Sequence, residues 1–226
     1  MARRQQSRGV CTYCEKEMTK GGLTRHLKTC ASRQQTIAQS TVKKSQNIYH
    51  LQVQDAYGGD FWLHLEMNGT APLDDLDGYL RAIWLECCGH MSEFSFGGAY
   101  SGNTVGMSQK VDRVFDVGDQ LTHVYDFGDT SETTIKCVDV RQGVPLTRAP
   151  IALMARNNIP TPPCKECEKI ATHLCFECVH EYGENGLLCD EHTESHPHEN
   201  YDRPMALVNS PRLGYCAYTG PADPPY

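Results

Sequence analysis

Residues 164–198 read CKECEKIATHLCFECVHEYGENGLLCDEHTESHPH. Five cysteines and five histidines fall within these 35 positions, among mostly polar neighbours. Such a segment cannot build an apolar core, so if it folds, something else must hold it. Cysteine and histidine at short paired spacings are what a zinc ion needs. The pairs are Cys164/Cys167, Cys175/Cys178, Cys189/His192 and His196/His198. Consecutive pairing would place Cys164, Cys167, Cys175 and Cys178 on one ion with seven residues between the pairs, against about 15–20 in common two-knuckle sites. Crossed pairing leaves 21 residues between Cys167 and Cys189, and 17 between Cys178 and His196. The crossed arrangement fits better.

A cross-brace with two zinc ions is therefore expected over residues 161–200. Cys164, Cys167, Cys189 and His192 hold one ion, and Cys175, Cys178, His196 and His198 the other. A single zinc with loose histidines is the alternative. His173 and His180 are left over, exposed or beside the ligands. In its Cys–His order and its CDEH segment the module resembles B-box-type zinc modules. Four protein ligands per ion leave no position for water, so such sites are structural. Lys165 and Lys169 face nine acids in residues 164–199. Phosphate would be repelled there, whereas a protein partner or the basic N-terminus could dock.

A second metal signature lies at the other end, CTYCEKEMTKGGLTRHLKTC, residues 11–30. Cys11 and Cys14 form a C-x2-C knuckle, and His26 and Cys30 lie four apart, above one another on a helix. With this third zinc, residues 1–30 form a small finger around Met18 and Leu23. It resembles the ββα zinc fingers, with Cys in place of the last His and one residue fewer before His26. That likeness puts Thr19, Gly22 and Arg25 at the base-reading positions, of which only Arg25 suits a guanine edge. Arg3, Arg4, Arg8, Lys20 and Lys28 would add phosphate contacts. Residues 1–46 carry ten Lys/Arg against Glu15 and Glu17, while residues 47–226 carry eleven against 26 acids. The basic arm is thus the place for DNA or RNA, and residues 161–226 for a protein.

Residues 31–46 are polar and read as a linker whose start could extend the finger's helix. Between 47 and 160 the pattern is α+β. NIYHLQVQ and FWLHLEM alternate around the turn DAYGGD, and QLTHVYDF and SETTIKCVDV flank GDT, giving two hairpins. LDDLDGYLRAIWLECC between them has helical spacing, with acids in its first turn. One main helix on a β-grasp-like mixed sheet is the economical arrangement. His90, Glu93, Asp126 and Asp129 could exchange protons or bind metal, but Asp126 and Asp129 are ordinary turn builders. Cys87, Cys88 and Cys137 read as small core residues. The tail, 201–226, is rich in Pro, Gly and Tyr. It reads as an extended strand against the middle domain or a partner, with Cys216 a buried or free thiol in preference to a stray ligand, and PADPPY loose.

IYHLQVQ, LDDLDGYLRAIW, GHMSEF and above all YDFGDTSETTIKC resemble the domain family named after the third open reading frame of the agrobacterial Ri plasmid, also labelled as transposon-passenger "TnpR-like" proteins. The likeness spans about 110 residues. It implies a fold more than an activity, and no serine-recombinase site accompanies it. No apolar run approaches the roughly 18 residues that span a membrane, and MARRQQSRG is no secretory signal. The expectation is a cytoplasmic, non-enzymatic, three-zinc protein associated with nucleic acid or a mobile element through its finger. The rival expectations are a protein-interaction adaptor and an enzyme with an unrecognised central site.

Overall fold

The computed structural model describes residues 6–198, 200–201 and 203–225. Its frame is one nine-stranded sheet. The finger supplies the hairpin β1 (Arg8–Cys11) and β2 (Glu17–Thr19), followed by helices α1 (Lys20–Thr29) and α2 (Ala31–Ala38). The central strands are β3 (Gln46–Asp55), β4 (Trp62–Asn68), β5 (Ser92–Phe96), β6 (Thr104–Val105), β7 (Gln120–Tyr125), β8 (Ser131–Gly143) and β9 (Ile151–Asn157). They run in the order β2-β1-β9-β4-β3-β8-β7-β5-β6. Both expected hairpins are present: Tyr49 faces Met67 across β3 and β4, and Leu121 faces Ile135 across β7 and β8.

Every strand pairing among the described residues is antiparallel. The mixed, β-grasp-like sheet anticipated from the sequence would need a parallel pair, which these connections do not make. The expected main helix is there, as α3 (Leu73–Leu80) running into a π-helical turn, Arg81–Leu85. It packs Leu76, Leu80, Ile83 and Trp84 on Leu51, Leu63, Leu65 and Ile135. Asp77 on this helix accepts a buried hydrogen bond from His123 Nε2 at 2.8 Å, pinning it to β7. It is not the sole helix, because α1 and α2 cover the opposite face of the sheet.

That second cover explains the other half of β4. Leu63, Leu65 and Met67 face α3, while Trp62, His64 and Glu66, on the alternate face, are buried as well. Trp62 packs with Leu23, Leu27, Cys11 and Cys30 of the finger, and its Nε1 donates to Ser7 Oγ at 2.7 Å. At Gly9 a β-carbon would sit 2.1 Å from the Arg156 carbonyl oxygen and 2.5 Å from the Trp62 ring. Only glycine lets β1 lie this close to β9. Residues 31–46, expected as a linker whose start could extend the finger's helix, are helical over their first half, as the separate helix α2 after Cys30. There Arg33 of α2 is buried against Glu66 at 2.7 Å, and Arg141 takes the other oxygen of that carboxylate at 2.6 Å. His50 Nε2 and His64 Nδ1 meet at 2.8 Å in the same layer. Burial pushes His64 down to about 4 and His50 to about 2.

The C-terminal module is built of β10 (His173–Leu174), α4 (Phe176–His180), β11 (Leu187–Leu188), α5 (Asp190–Glu194) and β12 (Met205–Ala206), with β10 central in a three-stranded sheet. From β12 the tail returns to the central domain. Ser210 Oγ donates to the Trp84 carbonyl at 2.7 Å, and Arg212 is wholly buried. The tail is thus anchored by side chains, with only a two-residue strand. The described part of PADPPY is not loose either, for Ala222 is buried and Pro224 and Pro225 line an apolar groove with Tyr13 and Leu153, while Tyr226 lies outside the described residues. No helix among the described residues is long and apolar enough to cross a membrane.

Candidate metal centres

Zinc bonds of about 2.3 Å to sulfur and 2.0–2.1 Å to nitrogen place tetrahedral ligands about 3.3–3.8 Å apart. In the finger, Cys11 ends β1 and Cys14 closes the turn after it, while His26 lies in the last turn of α1 and Cys30 is the extended residue between α1 and α2. Cys11 Sγ and Cys30 Sγ are 4.0 Å apart, and Cys14 Sγ and His26 Nε2 are 3.2 Å apart. Burial pushes the Cys11 thiol up to about 11, so a thiolate forms there only with a cation to compensate it.

The C-terminal ligands gather in the crossed order. Cys164 and Cys167 lie with Cys189 and His192, at 3.5 Å from Cys164 Sγ to His192 Nδ1 and 3.8 Å from Cys167 Sγ to Cys189 Sγ. Cys175 and Cys178 lie with His196 and His198, at 3.6 Å from Cys175 Sγ to His198 Nδ1 and 3.4 Å from Cys178 Sγ to His196 Nε2. Burial would raise the Cys164 thiol, but the amides of Glu166 and Cys189 outweigh it and bring it to about 6. Lys165 links the two clusters, reaching Cys178 Sγ at 3.5 Å and Glu184 at 2.9 Å. The module's remaining histidines fall in neither cluster: His173 bonds Thr172, and His180 packs at a tilt against Phe176, with ring centroids 4.5 Å apart. All three donor sets are compatible with zinc, and each places four protein atoms within 4.8 Å of one another.

The expected nucleic-acid residues are placed differently. Arg3 and Arg4 lie outside the described residues. Arg8 Nε pairs with Glu17 at 2.7 Å and Lys28 with Asp139 at 3.1 Å, while Lys20 donates to Gln54. Thr19 caps α1 by accepting from the Gly22 amide. Arg25 is exposed and has no ion pair among the described residues.

Of the four central residues singled out, Glu93 stays apart on β5. Asp126, at φ 64°, builds the YDFGD turn: its Oδ1 accepts from the Gly128 and Asp129 amides, and its Oδ2 from Arg212 at 2.6 Å. Burial favours the neutral acid, but Arg212, the Gly128 amide and His90 prevail and hold the carboxyl below its usual range. His90 Nε2 stands 3.3 Å from the same Oδ2.

Cys87 and Cys88 are not core residues. Cys88 is exposed and Cys87 half-buried, and only Cys137 is wholly enclosed. With His90 and Cys216 they form a fourth Cys/His cluster. The sequence held one signal for it, the run CCGH at 87–90. Without a C-x2-C spacing, and with Cys216 so far along the chain, nothing linked the parts.

No family model matches the chain, and no curated protein matches it. Among solved structures, a protein of unknown function from Methanosarcina mazei is similar at a TM-score of 0.37 and 17% identity, over 43% of this chain and 62% of that one.

Proposed function

We propose that the protein is a zinc-stabilised, non-catalytic binding protein that docks a cationic polypeptide on its C-terminal module. The observation that carries this reading is the surface of that module. Exposed Ile170, Val179, Tyr182 and Tyr201 stand on it together with the exposed carboxylates of Glu168, Glu181 and Glu194. Apolar and aromatic groups supply contact area, and carboxylates select a basic partner. The closed donor sets beneath would keep this surface rigid and leave no coordination position for substrate. All twelve cysteines are free, which suits a reducing compartment such as the cytoplasm.

A second reading has its own support. Arg25, Lys43 and Lys44 are exposed and without ion pairs among the described residues, so the finger side could still touch nucleic acid. Against it, three of the expected contact residues are bonded within the chain. The likeness to the Ri-plasmid family, and the mobile-element association it brings, is part of the proposal and rests on the quoted motifs.

Fluorescence anisotropy of the zinc-loaded full chain separates the readings, using a Lys/Arg-rich peptide, mixed-sequence DNA and mixed-sequence RNA at low and moderate salt. The peptide is expected to bind, and to be lost when Glu168, Glu181 and Glu194 become lysine or Tyr182 becomes serine. Salt-sensitive binding of DNA or RNA that disappears in Arg25→Glu would overturn the reading in favour of the second.

A further inference from the structure

The run CCGH sits where α3 and its π-helical turn end, and it is held as a shaped loop. The Cys87 and His90 amides both donate to the Tyr125 hydroxyl, at 3.4 and 3.3 Å. That hydroxyl donates in turn to Glu86 Oε1 at 3.1 Å, which also accepts from the Gly89 amide at 2.6 Å. Gly89 takes φ 81°, turning the chain so that Cys88 and His90 face the same way. Opposite them the tail brings in Cys216, at φ 48°, followed by Ala217 at φ 56°. Two successive non-glycine residues in the left-handed region are strained, and such strain persists only where the surroundings hold it in place.

The donor atoms converge as they do in the other three centres. Cys88 Sγ lies 3.0 Å from His90 Nε2, 3.5 Å from Cys216 Sγ and 3.7 Å from Cys87 Sγ, and His90 Nε2 lies 3.3 Å from Cys216 Sγ. Asp126 and Asp129 are close to Cys216 as well. The Asp126 oxygens, however, are already taken by Arg212 and by two amides of its own turn. The donor set is therefore three sulfurs and one imidazole, which suits zinc and disfavours magnesium or calcium.

We propose that Cys87, Cys88, His90 and Cys216 form a fourth metal site, for a soft divalent cation of the zinc class, which clasps the C-terminal tail to the central sheet. Beneath the clasp Arg212 inserts into the sheet's end, donating to the Asp129 carbonyl, Ser131 Oγ and Asp126 and lying over the Tyr125 ring. The cation closes over this plug and fixes the residue that follows it by four positions. The site differs from the other three in exposure: none of its four ligands is buried. Its ion is accordingly the first to leave under a mild chelator. The proposal is independent of what binds the C-terminal module.

The test is elemental analysis of the full chain purified with zinc and a thiol reductant. Four ions per chain are expected, falling to three in Cys216→Ser and in His90→Gln, and staying at four in Cys137→Ser. Three ions in the unmodified chain, unchanged in Cys216→Ser, would overturn the proposal. A second measurement needs no variant. In the zinc-loaded chain Cys88, although exposed, is expected to resist alkylation by iodoacetamide, and to react together with Cys216 once a mild chelator has removed one ion. Prompt alkylation of Cys88 in the zinc-loaded chain, or a Cys88–Cys216 disulfide there, would refute the clasp.

Discussion

Replacing Trp62 by alanine tests whether the finger is part of the folded body. The side chain is wholly buried between the sheet and Leu23, Leu27, Cys11 and Cys30 of the finger. An aromatic of this size removes about 150–250 Å² from water, and cutting it to alanine in a core costs about 3–5 kcal/mol. The Nε1–Ser7 bond accounts for about 1 kcal/mol of that, so Trp62→Phe should cost far less than Trp62→Ala. The finger's zinc ligands are untouched by either change, and its ion should stay bound. Urea unfolding in excess zinc gives the stability, and hydrogen exchange followed by mass spectrometry gives the place. For Trp62→Ala the amides of β1 and α1 should exchange about a hundredfold faster or more, while β7 and β8 change less. A stability loss below about 1 kcal/mol with β1 still protected would mean that zinc alone positions the finger, and the packing argument would fail.

Two other outcomes follow from buried polar groups. Arg212→Ala leaves the buried Asp126 carboxylate without its guanidinium, which should cost about 3–5 kcal/mol. Adding Asp126→Asn should recover part of it, and chymotrypsin should cut within residues 203–225 of Arg212→Ala, at Leu213, Tyr215 or Tyr218, before the sheet unfolds; an undiminished midpoint and an intact tail would contradict this. For pH, His64 falls from an ordinary 6.5 to about 4 on folding. Its contribution is therefore complete above pH 6.5 and is lost as pH drops toward 4, because the unfolded chain takes up the proton first. Between pH 7 and 5 that amounts to about 2 kcal/mol. Urea midpoints in excess zinc should drop accordingly, and less in His64→Gln; the same slope in both would exclude His64 as the cause.

Much of the local structure was legible from residues. The knuckle spacings pointed to the finger and to the crossed pairing of Cys164 through His198, because in these clusters the ligands come in pairs only two to four residues apart. Alternation gave the β3–β4 and β7–β8 hairpins, and helical spacing gave α3. What escaped was whatever depends on two distant segments meeting. The polar-looking alternate face of β4, with His64 and Glu66, reads as solvent-facing until α1 and α2 are laid over it. Arg33 reads as linker because its burial requires Glu66 as a partner. The CCGH loop reads as core because its third sulfur, Cys216, arrives from the end of the chain. The antiparallel order likewise depends on which strands become neighbours, which no local pattern states.

The sheet ends in short strands, three residues in β2 and two in β6. Such stubs offer an incoming strand few backbone groups to pair with. On the β2 side this protection is borrowed, because the hairpin of β1 and β2 belongs to a finger folded on its ion. Behind it lies β9, seven residues long. Loss of the finger's own ion would peel that hairpin away and lay β9 open as a template for a second chain, so the visible sign of losing that ion should be self-association of a still-folded body.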